Sequence, residues 1–221
     1  MASKIKVDEL ETVSGSGVIT VNQPLSGSGA SLTSLPAANL TGTLPAISGA
    51  NLTGITTGKV LQVIQTHLIT ASSQSLSVAS TVYEISGLTA TITPSATTSK
   101  IMVDVKWSGE LSNAGYLQAL VFGLKRDTTQ IGQPAAAGSR TIGISGPASG
   151  YSEADNNSTQ DSATYSYLDS PSSTSALAYK ATILLADGIT GTLYNQRTVG
   201  DTDANHIERL TSTITLWEIG A

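Results

Sequence analysis

The sequence predicts an all-β chain in two parts, an N-terminal extended repeat segment followed by a C-terminal β-sandwich of the jelly-roll kind. Three observations predict it. Residues Thr12 to Gly58 contain no charged and no aromatic residue and are dominated by Ser, Thr, Gly and Asn. From Lys59 onward, apolar and polar residues alternate in short runs separated by turn signals. Helix-favouring runs of Ala, Leu, Glu and Lys are nearly absent, whereas Ser, Thr, Val and Ile are abundant.

Residues 1–12 form a charged lead in which Lys4 and Lys6 precede Asp8, Glu9 and Glu11, with Ile5, Val7 and Leu10 between them. Such a terminus either frays or orders on docking. Within residues 13–58, Ser14-Gly15-Ser16-Gly17 returns as Ser26-Gly27-Ser28-Gly29, and Ala38-Asn39-Leu40-Thr41-Gly42 returns as Ala50-Asn51-Leu52-Thr53-Gly54, both at an offset of 12. Leu35-Pro36-Ala37 also recurs as Leu44-Pro45-Ala46. Units that carry one or two apolar residues and then a turn cannot bury them alone, so they stack on neighbours or on copies of the chain. The series Leu32, Leu35, Leu40, Leu44, Ile47, Leu52 and Ile55 is too sparse for one chain to offset an ordering entropy of ~1–2 kcal/mol per residue. Three chains wound about one axis would face these residues inward. We expect residues 13–58 to be ordered only as a three-chain β shaft.

The C-terminal domain is expected over residues 59–221. Val60 to Thr66 reads as a strand, followed by Ser77 to Ile85 and Leu88 to Ile92. In Lys100 to Trp107 the residues Ile101, Val103, Val105 and Trp107 share one face, and Met102, Asp104 and Lys106 share the other. Tyr116 to Leu124 is apolar on both faces, as in a central strand, and Asp127-Thr128-Thr129 marks a hairpin turn. Residues 132–160 lack periodicity and read as loop. Ala163 to Leu168 and Leu177 to Ala186 are strands, the second burying Leu177, Tyr179, Ala181, Ile183 and Leu185. Thr192 to Tyr194 and Thr211 to Ile219 complete the set. Eight to ten strands in about 160 residues fit a two-sheet jelly roll better than an immunoglobulin sandwich of ~100 residues. Both Trp residues fall on strands and are read as core or intersubunit packing.

Composition narrows the chemistry. The chain carries a net charge of −5, and its basic residues are scattered singly apart from Lys125-Arg126, so no stripe for nucleic acid is present. It has no cysteine, which removes disulfides and thiolate chemistry. No apolar stretch reaches ~18 residues and the N-terminus lacks a signal-like apolar core, so neither membrane insertion nor Sec export is expected. The two histidines, His67 and His206, are distant in sequence and each reads as a solvated side chain. Asp201-Thr202-Asp203-Ala204-Asn205 opens like a calcium loop, but His206 stands where Gly is required and Ser212 where Glu is required. Turn-making explains Asp127, Asp169 and Asp187 more simply than catalysis does. No catalytic residue, cofactor or metal site is assigned, and the chain is read as a non-enzyme.

Val7 to Thr12, Ser14-Gly15-Ser16-Gly17 and Leu35 to Gly42 with its echo over 44–55 together resemble the N-terminal region and shaft of tailed-bacteriophage fibre proteins, including those of phages infecting cyanobacteria. Leu210 to Ile219 and Tyr167-Leu168-Asp169-Ser170-Pro171 are similar to the terminal knobs of such fibres. The resemblance implies a homotrimer exposed on the virion and attached to the phage tail or capsid through residues 1–12. It also implies a knob like the jelly rolls of the complement and tumour-necrosis-factor type, adsorbing to a host-surface glycan or other receptor. Function concentrates on loops held by a rigid scaffold, so the expected contacts are Tyr151, Glu153, Asp155 and Asn157 in one loop and Asn195, Arg197, Asp201 and Asp203 in another. Two alternatives stand beside this reading: a capsid decoration or tail-assembly protein without receptor binding, and a polysaccharide depolymerase.

Overall fold

The computed structural model describes residues 59–112, 120–148, 158–186 and 188–220, all within one compact unit. The anchor and shaft expected over residues 1–12 and 13–58 lie outside the described residues.

Ten strands and no helix are present among the described residues. They are β1 (Val60–Leu68), β2 (Ser72–Leu76), β3 (Val82–Ile92), β4 (Lys100–Leu111), β5 (Leu120–Arg126), β6 (Thr129–Ile131), β7 (Asp161–Asp169), β8 (Leu177–Leu185), β9 (Gly191–Asn195) and β10 (Ser212–Ile219). All pairings are antiparallel and build two sheets. The first holds β1, β10, β4, β9, β2 and β7; the second runs β3-β8-β5-β6.

The long β4 organises the first sheet. Met102 pairs with both Trp217 of β10 and Leu168 of β7, so those strands occupy opposite edges of β4. Gly109 pairs with both Asp161 of β7 and Asn195 of β9, which puts β9 on the same edge as β10. β9 and β10 are therefore collinear parts of one strand line, interrupted by the segment 196–211. β1 and β2 are interrupted in the same way, β1 pairing with β10 and β2 with β9. Gly109 is required here: a Cβ at this position would collide with the Tyr194 carbonyl and lie 2.6 Å from the Trp107 ring.

The inward faces of the two sheets form one core. The first sheet contributes Ile101, Val103, Val105, Trp107, Tyr165, Leu193, Ile214 and Leu216; the second contributes Ile85, Leu88, Phe122, Leu124, Tyr179, Ile183 and Leu185. Phe122 bridges them, with ring centroids 5.0 Å from Trp107 and 6.4 Å from Tyr165. The Tyr165 hydroxyl donates to the Gly123 carbonyl at 2.8 Å, so this buried phenol is satisfied across the sandwich. The alternation expected for β4 and β8 is the one observed: every residue assigned to their inner faces is buried. Trp107 belongs to the core, whereas Trp217 lies on the opposite parity, outside it.

Two expectations are corrected. The strand expected over Ser77 to Ile85 begins only at Val82, because residues 78–80 turn, with Ser80 at a φ of +55° and Val78 N donating to Tyr83 Oη at 2.7 Å. The separate strand expected at Leu88 is the second half of β3, which continues through a bulge. Ser72–Leu76 forms β2 although its serines carry little strand propensity; pairing with β9 decides it.

Candidate functional site

The loop expected to make contacts over 195–206 falls at the end of β9 and within the segment 196–211 that separates β9 from β10. Gln196, at a φ of +58°, turns the chain off the line of β9. Its neck is closed by Gln196 N donating to the Ser108 carbonyl at 2.9 Å, Gln196 Nε2 to Ser212 Oγ at 2.7 Å and Ser108 N to Ser212 Oγ at 3.0 Å. Val199 N then donates to Glu110 Oε2 at 2.6 Å, and Gln160 N donates to Glu208 Oε2 at 2.8 Å. Glu110 shares the outer parity of β4 with Met102 and Asp104 but is fully buried, because the returning loop covers that end of the sheet.

The expected contact residues separate on this frame. Asn195 is a correction: it is fully buried, points with Leu193 into the sandwich, and accepts from Trp107 Nε1 at 2.8 Å, so it presents nothing to a ligand at the surface. Arg197 is half-buried. It donates to the carbonyls of Thr198 and Val199 at 2.9 Å, pairs with Asp201 at 3.1 Å and lies 4.7 Å from the centre of the Tyr194 ring. It organises the loop from within. Asp201 is also bonded to Arg209, so two guanidiniums occupy the carboxylate that a cation would need. Asp203 is exposed. Tyr151, Glu153, Asp155 and Asn157 lie outside the described residues. Among the described residues no three His, Cys, Asp or Glu side chains converge.

Two buried carboxylates serve the scaffold. Asp169 of β7 accepts from Arg126 Nη1 and from Tyr179 Oη, both at 2.7 Å, which ties one sheet to the other. Burial and the adjoining Asp169 push the Tyr179 phenol pKa up. Glu218 of β10 is fully buried and accepts from Ser95, Ser99 and Gln62. Burial pushes its pKa up, but the donors from Ser95, Gln62 and Ser99 outweigh it and hold the carboxyl at about 2, against an ordinary 4.5.

The surface feature that strand spacing did not single out is the outer face of the first sheet. Register places Val63, Trp217, Met102 and Leu168 in one row across β1, β10, β4 and β7. Leu61 shares the outward parity of Val63; both are 47% exposed and Leu168 is 41% exposed. The next row, Gln65, Thr215, Asp104 and Ser166, is polar. The indole N–H of Trp217 is buried and has no hydrogen-bond partner among the described residues. Among the described residues the outer face thus has one end covered by the chain's own loop and the other end apolar, with Leu61, Val63 and Leu168 exposed. No protein-family model and no curated protein sequence matches the chain.

Proposed function

We propose that the chain is a homotrimeric virion fibre protein of a tailed bacteriophage. Residues 1–12 dock to the tail or capsid, residues 13–58 form the three-chain shaft, and residues 59–221 form a knob that adsorbs to a host-surface glycan. The observation that carries this reading is the apolar row Val63, Trp217, Met102 and Leu168 on the outer face, beside a polar row of Gln65, Thr215, Asp104 and Ser166. A contiguous apolar row whose ends, Val63 and Leu168, are exposed and whose middle, Trp217 and Met102, is half-buried suits an association surface, and a second and third copy of the same chain would cover it while their repeat segments wind together.

The sandwich fits the proposed knob. Counting β1–β2 and β9–β10 each as one interrupted strand reduces the ten strands to eight. First and last strands are then neighbours, as in a jelly roll. Trimeric knobs in many copies on a particle would turn weak glycan contacts into firm adhesion. The test is an antibody against the knob: it should decorate the particle that carries the chain and block adsorption to the host. A particle that the antibody does not label overturns the assignment.

A further inference from the structure

A second polar feature lies away from the loop and the apolar row, where β2 of one sheet meets β3 of the other. Glu84 opposes Thr182 and Thr89 opposes Lys180, so Ile85–Leu88 bulge against the single residue Ala181. Ile85 and Leu88 turn into the core, and Ser86 and Gly87 are pushed to the surface, Gly87 at a φ of +76° that suits glycine. Gln74 of β2 fixes the bulge: its Nε2 donates to the Glu84 carbonyl at 2.8 Å and its Oε1 accepts from Ser86 N at 3.0 Å. The result is a groove of about 330 Å³ walled by Ser73, Gln74, Glu84, Ser86, Thr89 and Lys180.

The walls decide the ligand class. The volume falls within the range of clefts that hold small ligands, roughly 300–1,000 Å³. Hydroxyls, an amide, a carboxylate and an ammonium line it beside Gly87, and the side chain of Ile85 at its floor is buried in the core, so the groove offers little to an apolar ligand. Adjacent hydroxyls of a sugar match such donors and acceptors at short spacing. Glu84 is paired within the groove with Lys180 at 3.1 Å and, from outside the lining, with Lys125 at 3.4 Å, so two ammoniums flank one carboxylate. We propose that this groove binds a saccharide unit bearing a carboxylate, a uronic acid of a surface polysaccharide, in preference to its neutral counterpart. The proposal deepens the adhesion reading and rests on it for its biological role.

The test is saturation-transfer NMR on the full chain with glucuronate and with glucose at millimolar concentration. Glucuronate should give the stronger signal, and that signal should fall as salt is added. Ser73→Trp and Ser86→Trp fill the groove from opposite walls at exposed positions; each should abolish the signal while circular dichroism stays unchanged. Lys180→Gln should weaken glucuronate on the order of tenfold, the loss of one hydrogen bond to a charged group, and leave glucose nearly unaffected. No signal from either sugar, or a signal that survives both tryptophan variants, overturns the proposal. Adsorption of the same proteins to host cells is scored separately. Adsorption that persists in both tryptophan variants overturns the role of the groove and leaves the fibre reading standing. Sugar binding by a wild-type chain that does not adsorb supports the groove and overturns the adhesion reading.

Discussion

Replacing Glu218 by Gln perturbs the point where β1, β10 and the β3–β4 turn meet, and it does so without changing shape. In the wild type, Oε1 accepts from Ser95 N and Oγ at 2.6 Å and from Ser99 Oγ at 2.7 Å, while Oε2 accepts from Gln62 Nε2 at 2.6 Å. That Gln62 amide also donates to the Thr93 carbonyl at 2.8 Å, so it cannot flip to meet a glutamine without losing a bond. The variant sets two amide NH₂ groups against each other and removes the charge from the three serine bonds. Hydrogen bonds to charged groups contribute ~1.5–3 kcal/mol and neutral ones ~0.5–1.5, so the loss at pH 7 is about 3 kcal/mol. At ~2–4 °C per kcal/mol for a domain of this size, Tm falls by about 6–12 °C. The pH dependence separates this cause from a packing defect. Because folding lowers the carboxyl from 4.5 to about 2, the stabilisation is fully present above pH 4.5 and is lost as pH falls toward 2. Thermal unfolding of E218Q and wild type at equal protein concentration should differ by a constant amount from pH 7 to 5 and converge between 4.5 and 2. Equal Tm values at pH 7, or a gap that does not shrink at low pH, would show that the Glu218 charge does not hold this corner together.

Gly109→Ala places a methyl against the Tyr194 carbonyl and the Trp107 ring. Forcing β9 away from β4 costs about 2–3 kcal/mol, read as a lower urea midpoint with a quenched or shifted Trp107 fluorescence. Arg197→Ala removes the guanidinium that joins the carbonyls of Thr198 and Val199 to Asp201. Its ion pair is half-exposed, so global stability should change by no more than about 1 kcal/mol, while limited proteolysis within residues 198–207 should accelerate several-fold. An unchanged cleavage rate would show that Arg197 does not order the loop.

Parts of this architecture were legible in the sequence where burial follows a strict period. Ile101, Val103, Val105 and Trp107 alternate without exception, and Leu177, Tyr179, Ala181, Ile183 and Leu185 are all buried on one face of β8, where Thr182 alone of the opposite face is buried too, because each strand packs one face against the other sheet. The segment Ser72–Leu76 was not legible, since its serines become a strand only by pairing with β9. The β3 bulge was hidden for a related reason: a Ser-Gly pair reads as a turn, and only β8 and the Gln74 amide show that the strand continues across it. Asn195 looked like a loop residue beside Arg197, yet its place in β9 sends it inward to Trp107. The apolar row was invisible because its four members lie far apart in the chain and meet only through register.

In the proposed fibre, copies of this chain associate through that row. Sedimentation equilibrium of the full chain at micromolar concentration tests it directly, with Val63→Glu as the comparison, since that change puts a carboxylate beside Trp217 at an exposed position. The wild type should sediment at three times 22.6 kDa, about 68 kDa, and Val63→Glu should shift toward 22.6 kDa with the core signal of Trp107 retained. A wild-type chain that sediments as a 22.6 kDa monomer, or a trimer that Val63→Glu leaves intact, would contradict it.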